Sequence, residues 1–304
     1  MAARLVLAVL GAALLCGCGG SGKRTAPARA IEPGVPAPTV PRPGTTEAAQ
    51  PVQPAPIDAA ERPAPADAPS RAPDLAPLAA PSALVDLDVP GHLPALVALP
   101  LGARTPRPIV VATHGAEGRP EGQCQLWQAL VGDRAFVLCL RGIAANRFEP
   151  PESAGYYYPG HPALGQEIEA ALRALAARYP EHVDLRDPLY AGFSQGASMG
   201  ALLLPNHPAG FARAALIEGG YGMFGEWNVA TARRFHEHGG ERVVLACGRV
   251  RCLEQARQTA RHLERGGLRV RVLYARGAGH GYRGPMEQEL RASLGWLVEG
   301  DGRF

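Results

Sequence analysis

A serine flanked by two glycines is the residue of this sequence best placed for nucleophilic chemistry. Ser194 lies in Gly192-Phe193-Ser194-Gln195-Gly196, after the apolar run 188–190 and before the small-residue run 197–204. These runs predict a strand and a helix, with the serine on the turn between them. A Cβ at either glycine would collide with the neighbouring strand or helix. The pattern is therefore typical of a nucleophile elbow, in which the serine hydroxyl projects from the top of a sheet.

A histidine late in the chain is suited to activate this serine, whose hydroxyl is a weak nucleophile until a base removes its proton. His280 follows the last predicted strand, in Gly277-Ala278-Gly279-His280-Gly281. The order of serine before histidine and the position after a strand favour a base over a surface or packed core residue. Four other histidines fit less well, because they fall in predicted helices or after the helix that follows Ser194: His207, His236, His238 and His262.

Strands and helices alternate through residues 83–304. Apolar runs predict strands at 83–89, 96–99, 108–113, 136–140, 189–193, 214–217, 243–246 and 270–274. Helical periodicity predicts helices at 164–179, 197–204, 229–238, 253–263 and 286–298. This order indicates one α/β domain, with an opening antiparallel pair, a mostly parallel sheet and helices on both faces.

Four features together resemble the α/β-hydrolase superfamily: the opening antiparallel pair, a strand ending in His114-Gly115, the Gly-Phe-Ser-Gln-Gly turn and the late Gly279-His280-Gly281. The turn has the form of small carboxylesterases, acyl-protein thioesterases and dienelactone-hydrolase-like proteins. The resemblance covers nearly all of 83–304 and implies an α/β-hydrolase fold without a large lid domain. It also implies a serine hydrolase that cleaves small-molecule carboxylic esters or thioesters through an acyl-enzyme, with no cofactor and no metal.

Two backbone N–H groups are expected to stabilise the oxyanion of such a reaction. One belongs to Gln195, the residue after the nucleophile. By resemblance to the thioesterases, the other belongs to Ala116, after His114-Gly115. His114 would then shape the loop and not act as the base.

The carboxylate is where the sequence departs from the resembled pattern. The usual position is the loop after strand 243–246, but residues 247–252 read Cys-Gly-Arg-Val-Arg-Cys and contain no acid. Glu218 ends the preceding strand and is favoured over Glu254, which falls in a predicted helix. There it would orient the His280 ring and stabilise the imidazolium. The alternatives are that Glu218 only ties down its own glycine-rich loop, or that no acid is present.

Four cysteines lie beyond residue 18: Cys124, Cys139, Cys247 and Cys252. An even number in an exported protein predicts disulfides, with three connectivities available. We predict the pairs Cys124–Cys139 and Cys247–Cys252. A zinc site is disfavoured, because Cys-x4-Cys lacks nearby partner ligands.

The N-terminus has the composition of an export signal. Residues 1–4 carry a positive charge, and the apolar run 5–15 is too short to span a bilayer. Residues 14–18, Leu-Leu-Cys-Gly-Cys, resemble a bacterial lipoprotein signal. The resemblance implies that residues 1–17 are removed and Cys18 is lipidated, which anchors the chain to the cell envelope; Gly19 favours the outer membrane, at its periplasmic or surface face. The alternative is an ordinary secretory signal cleaved near Gly20.

Residues 18–82 form a predicted disordered tether rich in Pro and Ala. Fifteen of the 30 prolines fall between positions 23 and 82, and the first aromatic residue is Trp127. Such a segment cannot bury enough apolar surface to offset its ordering entropy. The net charge of +3 on 304 residues argues against nucleic acid as a partner. The oligomeric state is left open.

Two questions of specificity and activity stay open at the level of sequence. Residues in predicted loops near the active edge either line an acyl pocket or pack the core and rim: Tyr156, Tyr157, Tyr158, Tyr221, Met223, Phe224 and Trp227. The missing acid also allows a hydrolase-fold binding or structural module with weak or no catalysis. Acyl transfer or peptide cleavage by the same residues is a further alternative.

Overall fold

The structure, a computed structural model, describes residues 75–207, 210–222 and 225–304. The predicted signal peptide 1–17, the lipidation site Cys18, the tether up to residue 74, and Met223 and Phe224 lie outside the described residues. Among the helices that are described, none combines the length and the apolar character needed to cross a membrane.

Ten strands occur in the described residues. They are β1 Leu84–Leu87, β2 Ala95–Ala98, β3 Ile109–Thr113, β4 Phe136–Cys139, β5 Ile143–Ala144, β6 Tyr156–Tyr157, β7 Leu189–Phe193, β8 Arg213–Ile217, β9 Arg242–Cys247 and β10 Arg269–Tyr274. Eight of these form one sheet in the order β1-β2-β4-β3-β7-β8-β9-β10, and β5 pairs with β6. Only β1–β2 and β2–β4 pair antiparallel in the large sheet, which confirms the predicted antiparallel opening and the mostly parallel remainder.

Six α-helices connect the strands within the same ranges. They are α1 Pro120–Val131, α2 His161–Arg178, α3 Gln195–Leu203, α4 Val229–Glu237, α5 Val250–Arg265 and α6 Pro285–Leu297, and a 3-10 turn, Leu204–Asn206, follows α3. Every predicted helix and strand is confirmed to within three residues at each end.

Helix α1 is the long element that the sequence analysis missed. Its buried face includes Gln123, a polar residue that interrupts the apolar periodicity. A signal was nevertheless present, since Pro120 begins the helix and Gly132 follows it with a φ of 63°. Proline at the first helical position and glycine just after the last are the usual helix boundaries.

Two apolar layers cover the faces of the sheet, because alternate residues of each strand point to opposite sides. Val111, Tyr190 and Leu216 pack with α2, α3, α4 and α5 on one face. Val110 and Ala191 pack with α1 and α6 on the other. The central strands are buried on both sides, as their continuous apolar sequences predict.

The residues just before β1 are part of this packing, although the sequence analysis assigned residues up to 82 to the tether. The Leu75 N–H donates to the Arg104 carbonyl at 2.8 Å and the Leu78 N–H to the Ala103 carbonyl at 2.9 Å. Leu78 is buried in the core. The reason is local, since Leu75 and Leu78 supply the apolar side chains that the preceding proline-rich sequence lacks.

The register of the parallel strands brings four carboxyl ends together. Phe193 at the end of β7 is opposite Ile217 at the end of β8, and Ile217 is opposite Ala246 near the end of β9. Cys247 at the end of β9 is opposite Tyr274 at the end of β10. Residues that follow these strands therefore meet at one edge of the sheet, where sites in open α/β sheets are usually found.

No lid domain is present in the part of the chain that the structure describes. The longest stretch outside the helices and the large sheet is residues 140–160, which we call the arm. The arm carries the β5–β6 pair, and Tyr156 forms a bridge with Gly118.

Candidate active site

Ser194 has the strained backbone expected of a nucleophile elbow. Its φ of 51° and ψ of −112° lie in a region that non-glycine residues rarely adopt. The turn is tight, because a Cβ at Gly192 would lie 2.7 Å from the Cα of Ala197. A Cβ at Gly196 would lie 2.7 Å from the His114 carbonyl oxygen. The sequence thus permits the turn only with glycines at these two positions.

His280 lies in the loop between β10 and α6, directly beside the serine. Its Nε2 is 2.9 Å from Ser194 Oγ. Its ring packs against Phe193 with centroids 5.1 Å apart, and Phe193 in turn meets the edge of Tyr282 at 4.8 Å. The side chain keeps 42% of its surface exposed, so a reactant has access to it.

Glu218 completes a hydrogen-bonded chain with these two residues. Its Oε2 is 3.0 Å from His280 Nδ1, and its side chain is fully buried. Like Ser194 it has a positive φ, 54°, in the turn that follows its strand. The structure thus brings together Ser194, His280 and Glu218. Glu254, the second choice, lies exposed in α5, and no hydrogen bond joins it to His280 among the described residues.

The loop without an acid, residues 247–252, holds the acid from the neighbouring strand. The Gly248 N–H donates to Glu218 Oε1 at 2.5 Å. Arg249 Nε and Nη2 both lie 2.7 Å from Glu218 Oε2. Sequence reasoning missed these two donors because it examined the loop only for a carboxylate. The loop itself reads Cys-Gly-Arg-Val-Arg-Cys, and the arginine just after the strand end, Arg249, was the signal that could have indicated a partner for a carboxylate.

The predicted oxyanion donors lie on the two turns that adjoin the serine. A Cβ at Gly115 would lie 3.1 Å from the Ser194 Cβ, so the His114-Gly115-Ala116 turn passes directly beside Ser194. Gln195 is the first residue of α3, and the first N–H groups of a helix have no carbonyl partner within the helix.

His114 shapes this turn from beneath. Its ring nitrogens lie 2.7 Å from the Gly115 carbonyl oxygen and 2.9 Å from that of Arg141, and its ring stacks on Tyr158 at 4.8 Å. The residue is buried, and this burial lowers the pKa of the imidazole below its ordinary value, although both carbonyls oppose the shift. The contacts match the loop-shaping role expected from the sequence.

Gln195 also fastens the arm to the elbow through its side chain. The amide oxygen accepts the Tyr158 N–H at 3.0 Å, and the amide nitrogen donates to the Tyr158 carbonyl at 3.2 Å. The Tyr158 hydroxyl donates to the Leu140 carbonyl at 3.1 Å, and burial raises its pKa well above the ordinary value. The sequence analysis assigned Gln195 only a backbone function, so this side-chain role is an addition.

A cavity of about 310 Å³ opens beside Ser194. Its lining combines the hydrogen-bonded chain with residues of α3 and the loop after β8: Ser194, Gln195, Ser198, Met199, Glu218, Gly219, Tyr221, Arg249 and His280. Burial raises the pKa of Tyr221, an effect that the nearby positive charge of Arg249 opposes. The Ser198 hydroxyl oxygen accepts the Gly220 N–H at 3.3 Å.

The aromatic residues left open by the sequence divide between packing and pocket. Tyr156, Tyr158 and Trp227 are buried, and Tyr157 is partly buried. None of these four lines the cavity beside Ser194. Tyr221 does line it, together with Met199, which the sequence analysis did not single out. The apolar part of the pocket thus comes from α3 and the loop after β8, not from the arm.

Both predicted cysteine pairs lie within disulfide-bonding distance. The Cα atoms of Cys124 and Cys139 are 5.7 Å apart, and those of Cys247 and Cys252 are 5.5 Å apart. An oxygen of Glu218 lies within 4.8 Å of both Sγ atoms of the second pair. Such a trio resembles a partial metal-ligand set, but sulfurs joined in a disulfide are not thiolates and do not offer that coordination.

Comparisons with known proteins establish the fold. No protein-family model matches the sequence, and no curated protein matches it. The solved structure of TT1662 from Thermus thermophilus is similar to this chain, with a TM-score of 0.51, 18% identity, and coverage of 71% of this chain and 98% of that one. A putative dienelactone hydrolase from Klebsiella pneumoniae has a TM-score of 0.49 and 18% identity, covering 71% of this chain and 98% of its own. A carboxylesterase from Mesorhizobium loti has a TM-score of 0.49 and 17% identity, covering 68% and 98%.

The strand order of the large sheet gives the chain the α/β-hydrolase fold, as the sequence analysis predicted. The eight-stranded, mostly parallel sheet, the positive-φ serine after β7 and the histidine after β10 all accord with that fold. At 17–18% identity the similarity concerns the fold alone, and the chemistry has to be argued from the residues of this site.

Proposed function

We propose that this protein is a serine hydrolase that cleaves carboxylic ester bonds through an acyl-enzyme. One observation carries the proposal: the unbroken hydrogen-bonded chain from Ser194 Oγ to His280 at 2.9 Å and from His280 to Glu218 at 3.0 Å. A nucleophile, a base and an orienting acid in this order are the arrangement that activates a serine.

The first half-reaction forms the acyl-enzyme. His280 Nε2 takes the proton of Ser194 while Oγ attacks the carbonyl carbon of the ester. The N–H groups of Gln195 and Ala116 stabilise the resulting oxyanion. His280 then donates its proton to the leaving alkoxide as the carbon–oxygen bond breaks, and the alcohol departs.

The second half-reaction uses the same groups on water. His280 Nε2 removes a proton from a water molecule, which attacks the acyl carbon, and the serine leaves with the returned proton. Glu218 accepts a hydrogen bond from His280 Nδ1–H throughout, which holds the ring in the tautomer whose Nε2 is free to act as base. Its carboxylate also stabilises the imidazolium that forms in each half-reaction.

The substrate is a small or medium acyl ester or thioester. The cavity of about 310 Å³ is at the lower end of the range for small-molecule sites. Met199 and Tyr221 supply an apolar surface on which an acyl chain can pack.

A catalytically inactive binding module is the less favoured function. That alternative came from the missing acid in the loop 247–252, and the contact of Glu218 with His280 removes its motivation. No cofactor enters the proposed chemistry.

Labelling with a fluorophosphonate probe tests the proposal. We expect the full-length protein to be labelled and to hydrolyse p-nitrophenyl acetate, and both properties to be lost in Ser194→Ala and His280→Ala. Ser153→Ala is the matched control, since this serine is exposed in the arm and does not line the cavity beside Ser194. Folded wild-type protein that is neither labelled nor active would favour the binding module.

We further propose that the hydrolase acts at the bacterial cell envelope, anchored through lipidated Cys18. This proposal rests on the short apolar run and the Leu-Leu-Cys-Gly-Cys pattern of residues 5–18. Partition of the mature protein between detergent and aqueous phases tests it. Wild-type protein should enter the detergent phase and Cys18→Ser the aqueous phase, whereas wild-type protein in the aqueous phase would exclude the anchor.

A further inference from the structure

Glu218 is held by more groups than the orientation of a histidine requires. Oε1 accepts the Gly248 N–H at 2.5 Å. Oε2 is shared, because it lies 2.7 Å from both Arg249 Nε and Nη2 and 3.0 Å from His280 Nδ1. The carboxylate is fully buried, while the Arg249 side chain keeps 47% of its surface exposed. A positive charge thus sits on the same oxygen that the histidine uses.

The position of Arg249 is fixed by the turn that carries it. Its backbone is extended and precedes the first residue of α5, with its carbonyl accepting the Leu253 N–H at 3.0 Å. Cys247 and Cys252 close the turn around it. A Cβ at Gly248 would lie 3.0 Å from the Cβ of Ala278, so the turn also packs against the loop that carries His280.

We propose that Arg249 is a positioning residue of this site, which aligns Glu218 with His280. This inference rests on the proposed hydrolase function. The turn 247–252 has no carboxylate of its own. It supplies the Gly248 N–H and the Arg249 guanidinium, which hold Glu218 at the end of the adjacent strand β8.

The alignment follows from geometry. A forked contact through Nε and Nη2 restricts rotation of the carboxylate more than a single ammonium donor does. With Gly248 on the other oxygen, both carboxylate oxygens are restrained. Loss of the guanidinium leaves Oε2 free to turn away from His280, which reduces the turnover rate. Because Arg249 also lines the cavity, the substitution has to keep an unbranched side chain at that wall, as methionine does.

The test compares Arg249→Met, which removes the charge and the fork, with Arg249→Lys, which keeps the charge alone. Values of kcat and KM are measured for p-nitrophenyl acetate with the full-length protein. For Arg249→Met we expect kcat to fall about tenfold with KM within about twofold. For Arg249→Lys we expect a smaller loss of kcat. Arg251→Met is the control. Arg251 is exposed and lies two residues after Arg249, so this substitution should leave both kcat and KM unchanged.

A second measurement does not depend on activity. A thermal melt of each variant separates these effects from a loss of folding.

The outcomes separate this inference from the proposed function. An active wild-type protein whose kcat is unchanged by Arg249→Met overturns the role of Arg249 alone. A rise in KM that accounts for the whole loss of kcat/KM also overturns it, as does an equal loss of kcat in Arg251→Met. A folded wild-type protein that neither hydrolyses esters nor reacts with the fluorophosphonate overturns both.

Discussion

The two cysteine pairs join regions of very different function. Cys124 in α1 and Cys139 at the end of β4 are fully buried in the apolar layer between the sheet and the helices α1 and α6. Cys247 and Cys252 are also buried, but they close the turn whose Gly248 N–H and Arg249 guanidinium hold Glu218. The same covalent bond therefore stabilises the fold in one region and orders a functional group in the other.

Loop length alone does not capture this difference. The pairs are separated by 15 and 5 residues. The chain-entropy relation assigns stabilisations of about 3 and about 2 kcal/mol to loops of these lengths. The two pairs are thus similar in thermodynamic terms, and what distinguishes them is whether a group in contact with His280 depends on the closed loop.

The largest effect is expected at the residue that this second turn serves. Glu218→Gln keeps the shape of the side chain but removes the charge that supports His280, so kcat should fall by about 10³- to 10⁴-fold. Steady-state kinetics on p-nitrophenyl acetate measures the change. Glu254→Gln, an exposed residue of α5, is the matched control and should retain full activity. Unchanged activity in Glu218→Gln would remove Glu218 from the mechanism.

Removal of the first pair should affect folding and not turnover. The double variant Cys124→Ala/Cys139→Ala should lower the free energy of unfolding by about 3 kcal/mol. Urea denaturation measures this loss, and kcat measured well below the melting temperature should stay within about twofold of wild type. A large loss of kcat in a folded variant would contradict the division between the two regions.

Removal of the second pair should affect turnover as well as stability. Cys247→Ala/Cys252→Ala frees the turn that carries Gly248 and Arg249, so kcat should fall about tenfold while the unfolding free energy decreases by only about 2 kcal/mol. Both quantities are measured on the same preparation. If kcat is retained, the turn is ordered without its disulfide, and the second pair has no part in holding Glu218.

The smallest effect concerns the pH dependence of stability at the oxyanion turn. Burial lowers the pKa of His114 from 6.5, so the unfolded chain takes up the proton before the folded chain does. The stabilisation is fully present above the unfolded value and is lost as the pH falls through the lower folded value. Urea midpoints measured between pH 8 and pH 5 should therefore decline less for His114→Gln than for wild type. Parallel curves for the two proteins would show that His114 does not contribute to the acid sensitivity.

Much of the fold was predictable because the central strands are continuous apolar runs. Strands such as Ile109–Thr113 and Leu189–Phe193 are buried on both faces of the sheet. The helices between the strands are recognised by a different pattern, the helical spacing of their apolar residues. Helix α1 was missed because the buried Gln123 breaks the apolar pattern of its inner face. The residues before position 83 were assigned to the tether because two leucines, Leu75 and Leu78, are too few to produce a periodic signal.

The site was predictable to a different extent at each residue. Ser194 and His280 are marked by local patterns of glycine. Ser194 lies in a tight turn that requires glycine on either side, and His280 lies in a loop whose glycines allow it to extend toward the serine. Glu218 was distinguished from Glu254 only by its place at a strand end. The role of Arg249 was not predicted, since an arginine near a strand end has no local signature that separates a solvated side chain from one paired with a buried carboxylate.

The sequence by itself determined most of the helices and strands, the elbow at Ser194, and the even number of cysteines that predicts two disulfides. The elements and the elbow depend on residues that are close in sequence, and the disulfide prediction depends on the number of cysteines. Only the tertiary structure decided which acid faces His280 and what fills the place of the missing one. The reason is that β8, β9 and β10 are adjacent in the sheet, so their carboxyl ends place Glu218, Arg249 and His280 side by side although up to 62 residues separate them.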